Sequence, residues 1–414
     1  MCCLSQCLRY VHVGYSGSVE MTMLDKAALS LRQALPWLLL VAGLALPPLF
    51  TSQSWLLAYL AQTAAMIVFA LSFNLLLGET GLLSFGHAVY AGLGAFAAAH
   101  FFNRFAVPLP LLPLIGGVSA ALAAVAFGFF STRRAGTTFA MITLGIGELV
   151  AAGVWLVPGW FGGEGGVPID RASGPAVFGL NFGPSIQAYA LIAGWCLLAC
   201  IAMLVFSRTP FVRVANAVRD NPVRAATIGF DPRRVRFAMV IVAAFFAGVA
   251  GGLGLINVEL ASAEGVGLAR SASVLIAAVI GGTATFFGPV LGAVILTFFS
   301  VAVASVSPAW VAYLGLFFVW VVVVAPKGLA GFVAARSREG YAAIAFALCA
   351  VGAWLLAIVI AIELAYALQF DSHGDGLAHI AGFLLDGRHA APWCFAIFSA
   401  VIAILFTRHA RSAR

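Results

Sequence analysis

Apolar residues in this chain come in long runs, not in strand-like alternation. Twelve such segments stand out, at roughly 35–50, 54–77, 82–102, 108–130, 137–157, 186–206, 237–257, 271–285, 289–306, 309–325, 341–366 and 391–407. Many reach about 17 residues or more, the length at which a helix crosses the hydrocarbon core of a bilayer. Inside a bilayer every backbone amide must be satisfied within its own helix or a closed barrel, and without period-two alternation the helix is the remaining solution. The pattern therefore predicts an all-α polytopic membrane protein with about 10–12 transmembrane helices. Glycines interrupt the runs near 78–94 and 271–290, so some of these helices are expected to be broken or re-entrant.

The polar connections carry the orientation. Numbered alternately, one set of loops holds Lys26, Arg32, Arg133, Arg134, Arg208, Arg213, Arg219, Arg224, Arg233, Arg234, Arg236, Lys327, Arg336, Arg338, Arg408, Arg411 and Arg414, and the other only Arg104, Arg171, Arg270 and Arg388. Basic residues collect on the cytoplasmic side. The first set is thus expected inside with both termini, as in a multi-pass protein of the bacterial inner membrane. Three regions follow: a partly disordered cytoplasmic leader over 1–34, a transmembrane domain over 35–332, and an extra helix pair over 333–414. The leader lacks the continuous apolar core and small-residue cleavage site of a signal peptide, and Met21 and Met23 offer alternative starts. Within the domain, 158–185 reads as a turn-rich periplasmic loop with the run Gly162 to Gly166. The cytoplasmic loop 207–236 carries seven arginines and a helical stretch over Val214–Gly229, interrupted at Asn221-Pro222.

Composition narrows the function classes. The chain is 63% hydrophobic and 9% charged, against about 25% charged in soluble domains. The formal net charge of +7 reports topology, not affinity for nucleic acid. The cysteines have no metal spacing; Cys196, Cys200, Cys349 and Cys394 sit in apolar runs as small buried hydrophobes. There is no phosphate-cradling G-x-x-x-x-G-K-[ST] loop, no catalytic triad and no zinc pattern. If the protein moves solute with ATP, the ATPase is another chain.

Three stretches carry a family resemblance. The first is Leu75-Leu76-Leu77-Gly78-Glu79-Thr80-Gly81-Leu82-Leu83-Ser84-Phe85-Gly86-His87-Ala88 with Tyr90, Gly92 and Gly94. The second is Arg133-Arg134-Ala135-Gly136 with Phe139 to Gly145 and Glu148. The third runs from Ala217-Val218-Arg219-Asp220-Asn221-Pro222 through Gly229, Gly248 and Gly251 to Ile280-Gly281-Gly282, Gly288-Pro289 and Ala325-Pro326-Lys327-Gly328-Leu329. Together they resemble the M-type permeases of high-affinity branched-chain amino acid ABC importers, over roughly 54–332. The resemblance implies a heterodimer with an H-type permease, two cytoplasmic ATPase subunits that bind ATP-Mg, a periplasmic solute-binding protein, surrounding membrane lipid, and no cofactor on this chain itself. It also implies that 207–236 is the loop resting on the ATPases, with Arg219, Asp220, Arg224, Ala225, Ala226 and Gly229 at the contact. Pro222 stands where the family usually has an acidic residue, and Asp220 is the available substitute.

The translocation pathway is expected along Asn74, Glu79, Gly81, Ser84, Gly86, His87, Tyr90, Glu148, Gly281 and Gly282. Paired glycine-interrupted segments in two halves of a transporter point to a solute path, because broken helices expose backbone groups. Each glycine has a second reading, as a small residue that lets helices approach. Glu79 can equally sit at a cytoplasmic helix end, and His87 and Asn74 can serve as structural hydrogen-bonding groups. The histidines and aspartates of 371–389 read as a solvated loop in preference to a metal site. An ion-driven secondary transporter is the competing function; it needs dedicated intramembrane carboxylates, for which Glu148 is the candidate.

Overall fold

The computed structural model describes residues 35–50, 53–176, 179–305, 307 and 309–336, with 360, 362, 377–380, 383–386, 397–399, 401 and 404. The leader and most of 341–366 and 391–407 lie outside the described residues. The chain divides into two units, Met1–Phe50 and Thr51–Arg414. In the first, helix α1 (Leu35–Ala45) is followed by the short α2 (Pro47–Phe50).

The second unit is a helical bundle. Its two most buried spans are α3 (Ser54–Thr80) and, later in the chain, Pro232–Val258. Each has 27 residues, about 40 Å at 1.5 Å per residue, which is ample for a bilayer. Leucine, alanine and phenylalanine cover α3 on all sides, as suits a helix surrounded by other helices. Gly81, at φ 67°, ends α3 in the left-handed conformation, and its N–H bonds the Leu77 carbonyl at 3.2 Å. This is the αL helix stop that glycine favours.

The next helix, α4 (His87–Phe105), does not start level with that end. His87 Nε2 lies 3.0 Å from Ser72 Oγ, and Ser72 is eight residues, about 12 Å, back along α3. Residues 81–86 therefore turn back into the bundle before helix resumes. The expectation of a break is met, with a corrected position. α3 runs unbroken through Gly78, and the non-helical stretch is Gly81 to Gly86, because it is Gly81 that takes the positive φ.

Helices α5 (Leu112–Ser131), α6 (Thr137–Leu156), α7 (Pro158–Phe161), α8 (Ser185–Ser207), α9 (Pro210–Asp220), α10 (Pro222–Thr227) and α11 (Pro232–Val258) follow. α11 packs on α3, α4 and α5. Two shorter helices come next: α12 (Leu268–Gly281) with 14 residues, and α13 (Gly288–Thr297), which continues into a π-helical turn over Phe298–Val303. At about 21 Å, α12 is too short to span the roughly 30 Å core, in line with the half-helix expected there. The backbones of α12 and α13 touch: a Cβ on Gly281 would strike the Gly288 carbonyl, and one on Gly292 the Ala277 carbonyl. α14 (Trp310–Val324) and α15 (Gly328–Arg336) complete this region.

The loops make two separate sets of contacts. In one, Arg133 and Arg233 both lie over the Phe129 ring, at 4.7 and 5.6 Å. In the other, the 158–185 loop is more ordered than its turn-rich sequence implies. Its strand β1 (Val167–Pro168) pairs antiparallel with β2 (Leu260–Ala261). Asn103 Nδ2 donates to the Pro168 carbonyl at 3.0 Å. Arg171 pairs with Glu259 at 2.7 Å, and the Ile169 N–H donates to the Glu259 carbonyl at 2.9 Å. Far along the chain, β3 (Leu377–Ile380) and β4 (Phe383–Asp386) form a hairpin in which His379 stands opposite Leu384.

Candidate functional site

The basic loop is built as two helices with separate tasks. α9 buries Val212, Ala215 and Val218, a three-residue spacing that places one apolar stripe against the bundle. From its flank, Asn216 Nδ2 donates to Glu79 Oε2 at 2.8 Å. Arg219 Nη1 donates to the Gly78 carbonyl, one of the last carbonyls of α3, which have no partner within the helix and favour a cation. Arg219 also ion-pairs with Asp220 at 3.1 Å, and its Cγ lies where a Cβ on Gly81 would meet it at 2.9 Å. Arg219, expected to meet an ATPase, is thus turned inward onto the end of a membrane helix. Glu79 and Gly81, expected along the solute path, sit under this clamp.

α10 does the opposite and faces outward. Ala225 is buried, whereas Val223, Ile228 and Phe230 are 74, 66 and 42% exposed, and Arg224 and Ala226 are exposed beside them. Asn221 caps the helix by accepting from the Arg224 N–H at 2.9 Å. At its C-terminus the Gly229 N–H bonds the Ala226 carbonyl at 3.0 Å and the Phe230 N–H the Ala225 carbonyl at 3.1 Å. With Gly229 at φ 96° this is a Schellman stop. Gly229 therefore has a backbone role that its sequence neighbourhood did not reveal. Pro222 occupies the first turn of α10, where its missing N–H costs nothing.

The two glycine-rich stretches meet at this same end. A Cβ on Gly78 would lie 2.7 Å from Asn74 Oδ1 and 3.0 Å from the Thr283 carbonyl, and one on Gly282 would press on the Lys327 carbonyl and Gly328. Asn74 is buried, and its Oδ1 has no hydrogen-bond partner among the described residues. Gly281 and Gly282 here serve as close-packing residues between α12, α13 and the start of α15.

The 81–86 stretch is held by side chains distant in sequence. The Phe85 N–H donates to Thr143 Oγ1 at 3.2 Å, and Gly86 lies against the Thr143 carbonyl. The Ala88 N–H donates to Ser271 Oγ at 3.0 Å, so a serine on α12 caps the first turn of α4. Ser84 is buried in this turn. His87 is fully buried, stacked on Phe69 and edge-on to Phe73 and Tyr90. His87 and Tyr90 thus belong to an aromatic cluster in the core, the structural alternative for His87.

Glu148 is placed differently. It is exposed on α6, on the face that also exposes Met141 and Gly145; a Cβ at Gly145 would meet nothing within 4 Å. A carboxylate in the middle of a spanning helix costs about 2.5–3.5 kcal/mol unless partnered or wet, so this face calls for a partner or water.

A cavity of about 650 Å³ opens towards the other end of the bundle, between α3, α4, α11 and the start of α12. Arg270 lines it, with its guanidinium carbon 5.7 Å from the Phe69 ring centroid. The sequence assigned Arg270 to an outer loop. The structure puts it in the first turn of α12, beside the middle of α3, which leaves the sparsely charged side with one basic residue fewer.

Two curated relatives match part of the chain. The high-affinity branched-chain amino acid transport system permease protein LivM of Escherichia coli (strain K12) is 28% identical over 257 residues, 56% of this chain and 60% of the relative. Its counterpart from Salmonella typhimurium is 30% identical over 259 residues, 57% of this chain and 60% of the relative. The chain thus spans about 60% of the length of the curated relatives it matches. No solved structure matches it. The family described as branched-chain amino acid transport system / permease component matches residues 55–326. This stretch runs from the start of α3 to just before α15 and contains the α9 clamp, the 81–86 turn and the cavity, and the chain belongs to that family.

Proposed function

We propose that the protein is the membrane-spanning permease subunit of an ATP-driven importer for branched-chain or related amino acids in the bacterial inner membrane, with ATP hydrolysis on separate chains. The observation that carries this reading is the two-helix loop at 207–236. One helix is clamped to α3 by Asn216 and Arg219, and the other presents Val223, Ile228 and Phe230 outward. Exposed apolar side chains on a capped, rigid helix at an aqueous end fit a partner groove, and the clamp gives a push on α10 a route into the bundle.

Two ATPase subunits holding ATP-Mg would dock there. An H-type permease would cover the α6 face that carries Glu148, and a periplasmic binding protein would deliver solute to the opposite end. Both termini would be cytoplasmic.

Co-expression with the candidate ATPases tests this reading. The wild-type chain should co-purify with them, and the double substitution Val223→Asp with Ile228→Asp should reduce recovery of the ATPases at least tenfold while leaving membrane insertion intact. Unchanged recovery would assign docking to another surface. Topology gives a second check: an accessibility tag at Gly165 should label from the periplasm, and labelling only after the membrane is opened to the cytoplasmic side would reverse the assignment.

The ion-driven alternative rests on Glu148. Its place on the outward face of α6 gives it no enclosed ion site among the described residues.

A further inference from the structure

We propose that the cavity between α3, α4, α11 and α12 is a solute site lined by this chain, in which Arg270 receives the carboxylate of a zwitterionic aliphatic amino acid. The inference deepens the importer reading and rests on it for the identity of the solute. Arg270 stands in the first turn of α12, within one residue of Ser271, whose hydroxyl caps α4. The lengths of α3 and α4 place that junction well inside the bundle. A guanidinium at such a depth carries a substantial insertion cost, yet among the described residues the Arg270 side chain has no hydrogen bond or ion pair. Its contact is the face of Phe69, which is itself fixed by stacking on His87. An aromatic ring against the flat face of a guanidinium leaves the N–H edge free, and that edge matches a carboxylate through two parallel hydrogen bonds.

The remaining lining completes the match. Glu264 borders the same cavity and makes no ion pair with Arg270 among the described residues, so the two charges are separate and of opposite sign, as are the ends of an amino acid backbone. Leu255 and Val258 supply an apolar wall. The volume falls within the usual range of about 300–1,000 Å³ for small-molecule sites. Gly254 also lines the cavity, and a Cβ there would meet nothing within 4 Å.

The test uses the full chain in lipid nanodiscs, with its partner subunits, free of nucleotide and of binding protein, and radiolabelled L-leucine as the probe. Saturable binding is expected in the wild type. Arg270→Gln should weaken it at least tenfold, and Arg270→Lys should recover part of the loss. Gly254→Leu should abolish binding without disturbing the fold, because the new side chain enters open space on a helix without backbone strain. Charge specificity is read by competition. The carboxylate 4-methylpentanoate should displace leucine from the wild type and lose that ability in Arg270→Gln, whereas 3-methylbutylamine, which has no carboxylate, should compete equally with both. A merely structural arginine would not produce that split. Equal leucine affinity and equal 4-methylpentanoate competition in wild type and Arg270→Gln would overturn the site, as would absence of saturable leucine binding to the wild type. The importer reading fails separately, if no ATPase assembles with the chain. The leucine assay stays readable in that event on the chain alone, since Arg270, Glu264 and Gly254 all belong to this chain.

Discussion

Replacing Gly248 by leucine is expected to remove folded protein from the membrane, the largest effect of any single substitution considered. Gly248 on α11 faces Gly116 on α5 and Gly94 on α4, where three helices cross at backbone contact. A Cβ on Gly248 would strike the Gly116 carbonyl and the Ala120 side chain; a Cβ on Gly94 would lie 2.7 Å from the Gly116 carbonyl and 2.8 Å from Gly248 Cα. Overpacking a core costs about 1–3 kcal/mol when side chains can move aside. Here the nearest obstacle is the backbone of α5, so relief requires separating α11 from α5 over their whole contact. Small residues are what permit such approach in membrane bundles, where van der Waals packing drives association. Fluorescence-detected size exclusion of a tagged chain should show loss of the monodisperse peak for Gly248→Leu and its retention for Gly145→Leu, where a Cβ meets nothing within 4 Å. A normal peak for Gly248→Leu would mean that the crossing is looser than described.

The second large effect is expected at Arg219. The bond from its guanidinium to the Gly78 carbonyl joins α9 to the end of α3, and the Asn216–Glu79 bond supports the same joint. A hydrogen bond to a charged group contributes about 1.5–3 kcal/mol. Arg219 is 39% exposed, so solvent screening places it at the low end, near a tenfold change in an equilibrium. Arg219→Ala should leave the buried stripe of Val212, Ala215 and Val218 in place and the outward α10 surface intact. Assembly with the ATPases should therefore persist, while solute moved per ATP hydrolysed in proteoliposomes falls about tenfold. Glu79→Gln is the control: its amide oxygen can still accept from Asn216, and the ratio should stay close to the wild-type value. If Arg219→Ala keeps the wild-type ratio, force enters the bundle elsewhere.

These two sites show what could be read in advance. The presence of the long apolar helices between Ser54 and Val258 followed from apolar runs, because bilayer thickness acts locally on the chain. The extended stretch at Gly81 to Gly86 was visible as a glycine cluster, but its return into the bundle was not. That return depends on Thr143 and Ser271, which satisfy its backbone from far away in sequence. Glu79, His87 and Tyr90 were picked for their rarity in apolar surroundings. Polarity in an apolar segment shows that a partner is needed and does not say which one. The partners proved to be a loop helix for Glu79 and an aromatic cluster with Ser72 for His87.

By itself the sequence determined that this protein is an all-α membrane protein and set the order of its long apolar helices, since both follow from transfer free energies summed along a segment. Tertiary structure decided which face of the 207–236 loop turns inward, which glycines are contact points and which lie open, and that Arg270 belongs to a cavity instead of a loop. Those outcomes depend on the crossing of α3, α4, α5, α11 and α12, and a crossing is set by backbone approach between segments as distant in sequence as Gly116 and Gly248, which no local pattern of residues encodes.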